Sequence, residues 1–216
     1  MAGTLLHVAP GTPSYYYSNR MARAYLLGLE DVLGRNGVSA ALNFAGVRHR
    51  VNNYPPNDLE LGFDFVELSS IQQALEEMYG PRGGKGIAMQ AGRATFKYGL
   101  QDFEAVIGIA DLALRLIPLG MKLKIGAETF AGIFNRFSDQ IVVLEEFSDH
   151  YVWNNERCAV CWGRHTDGPC CHLAVGILTE GLRWVSGGHE YRVEETACIA
   201  AGDAACSFHI AKKPIR

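Results

Sequence analysis

The first 157 residues of this 216-residue chain contain no cysteine, and all six cysteines lie from Cys158 onward. Any disulfide or thiolate site must therefore be built from the C-terminal part alone. No run of eighteen apolar residues occurs, which argues against a transmembrane helix. The most apolar zone, Val106 to Ile117, is interrupted by Asp111 and Arg115 and stopped by Pro118. The N-terminus lacks the basic start and continuous apolar stretch of a signal peptide. No basic run is dense enough for a nucleic-acid footprint, and the net charge is −3. Internal repeats and low-complexity segments are also missing. These absences lead to the expectation of a cytoplasmic protein that binds no nucleic acid and spans no membrane. In a reducing compartment, clustered thiols bind metal or do redox work more often than they form structural disulfides.

What is present is ordinary globular material: 48% hydrophobic and 20% charged residues, enough for one substantial core. A single domain over 1–216 is expected, mostly helical over 1–136, with a hairpin–helix–hairpin unit over 139–211. Asn19 to Leu33 reads as a helix, because Met21, Tyr25, Leu29 and Val32 share one face and Gly34 and Gly37 can end it. Residues 46–66, with Pro55-Pro56, read as loop or short extended chain. Ser69 and Gln72 form a capping-box pattern ahead of a helix that Gly80-Pro81 should stop. Three further helices are expected at 84–98, 101–117 and 119–136, the middle one apolar around most of its circumference and so either core or the wall of an apolar pocket. Residues 139–153 read as a β-hairpin turning at Ser148-Asp149-His150. Cys171 to Val185 reads as a helix, and strands near 189–199 and 204–211 surround Gly202-Asp203. The order is α+β with an antiparallel sheet, not the alternation of a nucleotide-binding α/β fold.

The glycine-rich stretch Gly80-Pro-Arg-Gly-Gly-Lys-Gly86 looks like a phosphate loop only superficially. Lys85 is followed by glycine rather than Ser or Thr, and no strand leads into it. A helix-joining turn is the better reading. No nucleophile elbow and no dinucleotide fingerprint is present, so nothing in the sequence supports an enzyme with its own nicotinamide cofactor.

The thiols carry the chemistry. Cys198 and Cys206 are equidistant from Gly202, so a turn centred there sets them across from each other, where Cβ atoms lie about 4.5–5.5 Å apart. Glu195, three residues before Cys198, has the wrong parity for a flat strand and joins them only through a bulge near Thr196-Ala197. Cys158-Ala-Val-Cys161 has the spacing of a metal knuckle or a redox pair. Cys170-Cys171 sits at a predicted helix start, where the helix dipole favours a thiolate.

Cys171-His-Leu-Ala-Val-Gly176, Glu195-Thr-Ala-Cys198 and Gly202-Asp-Ala-Ala-Cys206 together resemble the 4-vinyl reductase (hydrocarbon-binding) domain. That family is similar to the sensor modules of aromatic-responsive bacterial activators and to a bacteriochlorophyll-biosynthesis protein, and more distantly to TRAPP vesicle-tethering subunits. The resemblance implies a structural zinc held by Cys171, Glu195, Cys198 and Cys206. The additional Cys158, Cys161 and Cys170 leave alternative ligand sets open, including an iron–sulfur cluster. His165 and His172 read as loop or surface residues.

Phe130, Phe134, Trp153 and Trp184, with the apolar helix 101–117, could line a cavity. Pockets for small molecules are mostly apolar with few polar anchors. The expected function is binding of a hydrophobic molecule (an aromatic, a hydrocarbon, a lipid-like compound or a tetrapyrrole). The alternatives are an accessory or vinyl-reductase-related enzyme of tetrapyrrole biosynthesis and a protein–protein assembly module. A homodimer and a partner that relays the ligand state are also expected.

Overall fold

A computed structural model describes residues 13–102 and 117–215. The chain is α+β. β1 (Tyr16–Ser18) leads into α1 (Asn19–Phe44), and β2 (Leu61–Asp64) leads into α2 (Phe65–Asp102). After α3 (Leu119–Phe137) come β3 (Val142–Glu146), β4 (His150–Asn155), α4 (His172–Val185), β5 (Tyr191–Ala197) and β6 (Cys206–Pro214). β1 and β2 pair as a small antiparallel ribbon. The other four strands form an antiparallel sheet in the order β3-β4-β6-β5. The expected apolar helix at 101–117 falls largely on residues 103–116, outside the described ones.

Two helix stops read from the sequence are breaks rather than ends. Gly34 (φ 67°) interrupts α1, which then resumes to Phe44. Gly80 (φ 72°) interrupts α2, and Pro81 follows in the first turn of the resumed helix. A proline there costs nothing, because its missing N–H would have no helical partner in that turn. The capping box at Ser69 and Gln72 does not form. The helix starts four residues earlier, where Asp64 Oδ1 accepts from the Val66 amide at 2.8 Å. Ser69 Oγ instead donates to the Val66 carbonyl, and Gln72 Nε2 donates to the buried Tyr25 hydroxyl. The first amides of α1 are satisfied from a distance: Asn19 N donates to Glu60 O and Arg20 N to Asp58 O, both at 2.8 Å.

The helices approach at glycines. A Cβ on Gly28 of α1 would lie 2.6 Å from the Thr95 nitrogen of α2. α2 and α4 meet more closely still. A Cβ on Gly92 would lie 2.2 Å from the Leu173 carbonyl oxygen, and one on Gly176 would lie 2.2 Å from the Met89 carbonyl oxygen. Backbone therefore lies directly on backbone at this crossing. One core of buried residues runs from α1 and α2 (Leu26, Leu29, Ile71, Leu75) through α4 (Leu173, Leu178) to the sheet (Trp153, Phe208, Ile210), and it includes all six cysteines.

Candidate functional site: a buried thiol cluster beside an apolar pocket

The loop between β4 and α4 carries Cys158, Cys161, Cys170 and Cys171. The turn between β5 and β6 carries Cys198 and ends at Cys206. Every one of these thiols is buried and none is in a disulfide. The β5–β6 turn is closed by the Asp203 carboxylate, which accepts from the Cys198 amide at 2.8 Å, and by Gly202 in the left-handed region (φ 101°). Thr166 N donates to Ala200 O, fastening the cysteine-bearing loop to that turn.

The sulfurs then converge. Cys161 and Cys206 are 3.4 Å apart, Cys158 and Cys171 3.6 Å, and Cys171 and Cys206 3.7 Å. Cys198 is 3.8 Å from Cys170 and 3.9 Å from both Cys171 and Cys206. β5 steps two residues for one of β6 between Glu195 and Ala197. Across this bulge Glu195 turns inward, and its Oε2 accepts from the Cys171 amide at 2.7 Å. Its Oε1 is buried without a partner. Burial first, and then the neighbouring Cys198 charge, push the Glu195 carboxyl up to about 8.

Two sets of ligand atoms lie within 4.8 Å of one another: Cys158, Cys161, Cys171 and Cys206, and Cys171, Glu195, Cys198 and Cys206. Neither His165 nor His172 is in either set. The thiols titrate as a group. Cys198 is held down as a thiolate by S–H donation from Cys161, Cys170, Cys171 and Cys206, while burial pushes Cys171 well up. Such mutual dependence is what a shared proton set among packed thiols produces.

Arg164 is the charge beside this cluster. Its side chain is 2% exposed, and its Nη2 donates to Glu76 at 2.6 Å. Its Nε and Nη1 are buried without partners. Cys170 and Cys171 are among the negative groups that favour its charge. Sequence reading overlooked Arg164, because nothing local marks an arginine in a loop as buried.

Two apolar pockets lie on either side of Phe130 and Ile133 of α3. One is bounded by Trp153, Leu178, Trp184, Val185 and Ile210. The other is bounded by Met21, Tyr25, Phe96, Gly99, Phe134 and Ile177. Of the four aromatics singled out from the sequence, Phe130 borders both pockets, Phe134 one, and Trp153 and Trp184 the other. Phe130 stacks on Phe96 at 5.2 Å between ring centres. Met21, Phe96 and Gly99 carry no sequence signal, since helical core and pocket wall have the same periodicity.

Neither a protein-family model nor a curated protein matches the chain. Solved structures do. An H-NOX protein from S. oneidensis in the Fe(II)NO ligation state is 12% identical, with a TM-score of 0.55, over 90% of this chain and 99% of that one. An Fe(II) unliganded H-NOX protein from K. algicida is 11% identical, with a TM-score of 0.55, over 90% and 95%. A Cs H-NOX mutant carrying 4-cyano-L-phenylalanine is 16% identical, with a TM-score of 0.56, over 92% and 98%. The fold is H-NOX-like.

This replaces the resemblance to the 4-vinyl reductase family and its TRAPP and tetrapyrrole-biosynthesis connections. The motifs behind that resemblance describe a helix start beside a tight hairpin turn, which is local geometry and does not identify a whole chain. The expectation of zinc, or alternatively an iron–sulfur cluster, rested on the same motifs and falls with it. The solved structures of this fold concern Fe(II) states and heme redox potential. No helix among the described residues is long and apolar enough to cross a membrane.

Proposed function

We propose that this chain is a small-molecule-binding domain that takes a compact hydrophobic ligand between α1, α2, α3 and α4. The supporting observation is the pair of apolar pockets sharing Phe130 and Ile133 as a common wall. Such a site binds by burying apolar surface, worth about 25 cal/mol per Å², and selects by shape. The cysteine cluster belongs to the same reading as a structural element. Cys171, Glu195, Cys198 and Cys206 hold a thiophilic metal ion that fastens the start of α4 to the β5–β6 turn, with all four positions filled by protein, the mark of a structural rather than catalytic site.

The H-NOX-like fold raises heme as the ligand, and the described residues do not fit it. Neither pocket is lined by a histidine, cysteine, lysine or arginine. The tyrosines at the second pocket are engaged: Tyr17 donates to Gln140 at 2.8 Å, and Tyr25 accepts from Gln72 at 2.8 Å. Burial pushes both phenols above their ordinary range, away from the phenolate an iron would need. The second pocket encloses about 80 Å³, against roughly 150 Å³ for a cavity that admits benzene. A porphyrin is far larger than either.

Gly99 offers a clean test. It borders the second pocket, and a Cβ there meets no atom of the described residues within 4 Å. Gly99→Leu therefore adds a side chain at the pocket wall with its Cβ clear of those residues. Titration with xenon, a probe smaller than benzene, followed by chemical shifts of the Phe130 and Ile133 side chains, should show saturable binding in the parent and at least tenfold weaker binding in Gly99→Leu. Shifts that grow without saturating, or that are equal in both proteins, would sink the reading. Native mass spectrometry on the same samples tests whether the domain pairs with itself.

A further inference from the structure

The thiol cluster is larger than one ion requires, and its excess has a pattern. The two four-ligand sets share Cys171 and Cys206 and differ in everything else. We infer that the cluster holds two thiophilic metal ions, with the Cys171 and Cys206 thiolates bridging them: one ion bound by Cys158, Cys161, Cys171 and Cys206, the other by Cys171, Cys206, Cys198 and Glu195. This rests on the reading of the second set as a metal site and adds a second ion to it.

Three observations carry the inference. The first is distance. Metal–thiolate bonds of about 2.3 Å place the sulfurs of a tetrahedral site roughly 3.8 Å apart. The shared edge, Cys171 to Cys206, measures 3.7 Å; Cys158 to Cys171 is 3.6 Å, and Cys198 to each bridging sulfur is 3.9 Å. With Cys161 to Cys206 at 3.4 Å, five edges of two tetrahedra joined along one side are of this order, and the ligand atoms of each set all lie within 4.8 Å of one another. The second is the Glu195 Oε1 atom, buried with no partner among the described residues, on a carboxylate that has an oxygen within 4.8 Å of the Cys171, Cys198 and Cys206 sulfurs. An unpaired buried carboxylate oxygen is costly unless a cation takes it, and the other oxygen is already occupied by the Cys171 amide. The third is charge. Five thiolates and one carboxylate would bring six negative charges against four positive from two divalent ions. Arg164 stands beside the cluster as a buried cation with two N–H-bearing nitrogens still unpartnered. A single ion held by three thiolates and the carboxylate would leave the same net −2, so the charge admits the second ion without a further counter-ion. Cys170, 3.8 Å from Cys198, completes the shell as a thiol donor to the Cys198 sulfur.

Binding displaces to solvent whatever protons the five ligand thiols and the Glu195 carboxyl carry, and no electron moves. The cluster is redox-neutral as assembled.

Cadmium-113 is the probe that tests this on the full-length chain, stripped of metal under reducing conditions and refilled with 113Cd(II). Two equivalents should bind per chain, giving two resonances with a resolved coupling between them transmitted through the bridging sulfurs. The double variant Cys158→Ser/Cys161→Ser should keep one equivalent and one resonance. One equivalent in the parent overturns the two-ion inference and leaves the single structural ion standing. Two uncoupled resonances overturn the bridge. No stoichiometric binding overturns both readings. Should the double variant fail to fold, Glu195→Gln serves in its place: it retains every sulfur and should shift only one of the two resonances.

Discussion

Arg164 keeps a full charge in a side chain that is 2% exposed, with one ion pair to Glu76 and two nitrogens buried with no partner among the described residues. A guanidinium does not lose its proton under these conditions, so its stability depends on the negative groups around it. Arg164→Met should cost about 3 kcal/mol, seen as a fall of roughly 6–12 °C in melting temperature for a chain of this size. The cysteines are not equivalent either. Cys206 is in both ligand sets and Cys158 in one. Cys206→Ser should abolish stoichiometric metal binding and cost more than about 4 kcal/mol, while Cys158→Ser should keep part of both. Equal melting temperatures and metal contents for the two variants would rule this asymmetry out. Much at this scale was legible in the sequence: the pairing of Cys198 with Cys206 across Gly202, and the need for a bulge near Thr196 if Glu195 were to turn inward. Cys158 and Cys161 were open as alternative ligands from their spacing, but which thiols they would join was not legible, because a loop of irregular backbone between β4 and α4 brings them back, and no periodicity encodes such a path.

At the level of elements, glycines divide into those that allow contact and those that only break or weaken a helix. Gly176 supports the α2–α4 crossing, so Gly176→Ala should drive a methyl into the Met89 carbonyl and destabilise by about 3 kcal/mol or more. Gly86 is exposed on α2 with nothing near it. Gly86→Ala should stabilise by about 0.5–1 kcal/mol, the helix propensity alone. Thermal melts of the two variants check both signs. Sequence reading places Gly176 inside a helix and Gly86 in a glycine-rich turn, since composition does not say which glycine has a neighbour. The same limit explains Gly34 and Gly80, where helix ends were expected and the chain instead turns one residue and resumes. A polar tie is also visible between elements. Glu146 of β3 accepts from Lys124 of α3 at 2.7 Å and from Lys212 of β6 at 2.8 Å, and these partners lower its carboxyl to about 2. A depressed carboxylate contributes when ionised, so the tie persists above the usual carboxylate range and is lost as pH falls through about 2. The Glu146 carboxyl carbon should titrate there by NMR; a midpoint near 4.5 would show that the lysines are not engaged in solution.

For the molecule as a whole, the α+β order and the four-stranded antiparallel sheet followed from hydrophobic periodicity and turn residues. The H-NOX-like arrangement did not, because it depends on how the helices cross, and at 11–16% identity the side chains at those crossings share little that could be read. Fold and ligand also separate here. The H-NOX-like layers are present, while the described pocket walls carry no histidine or cysteine and their two tyrosines are engaged elsewhere.

α4 begins at Cys171 in the thiol cluster, is held at Gly176 against the backbone of α2, and lines the apolar pockets with Leu173, Ile177, Leu178 and Gly181. Two backbone contacts, at Leu173 and at Gly176, clamp the first turns of this helix onto α2 beside the sulfurs. The end that meets the thiols and the face that meets the pockets therefore belong to one stiff piece, and whatever loads one loads the other. Xenon at saturation should accordingly change the rate at which the metal-free thiols are alkylated, and Gly99→Leu should remove that change.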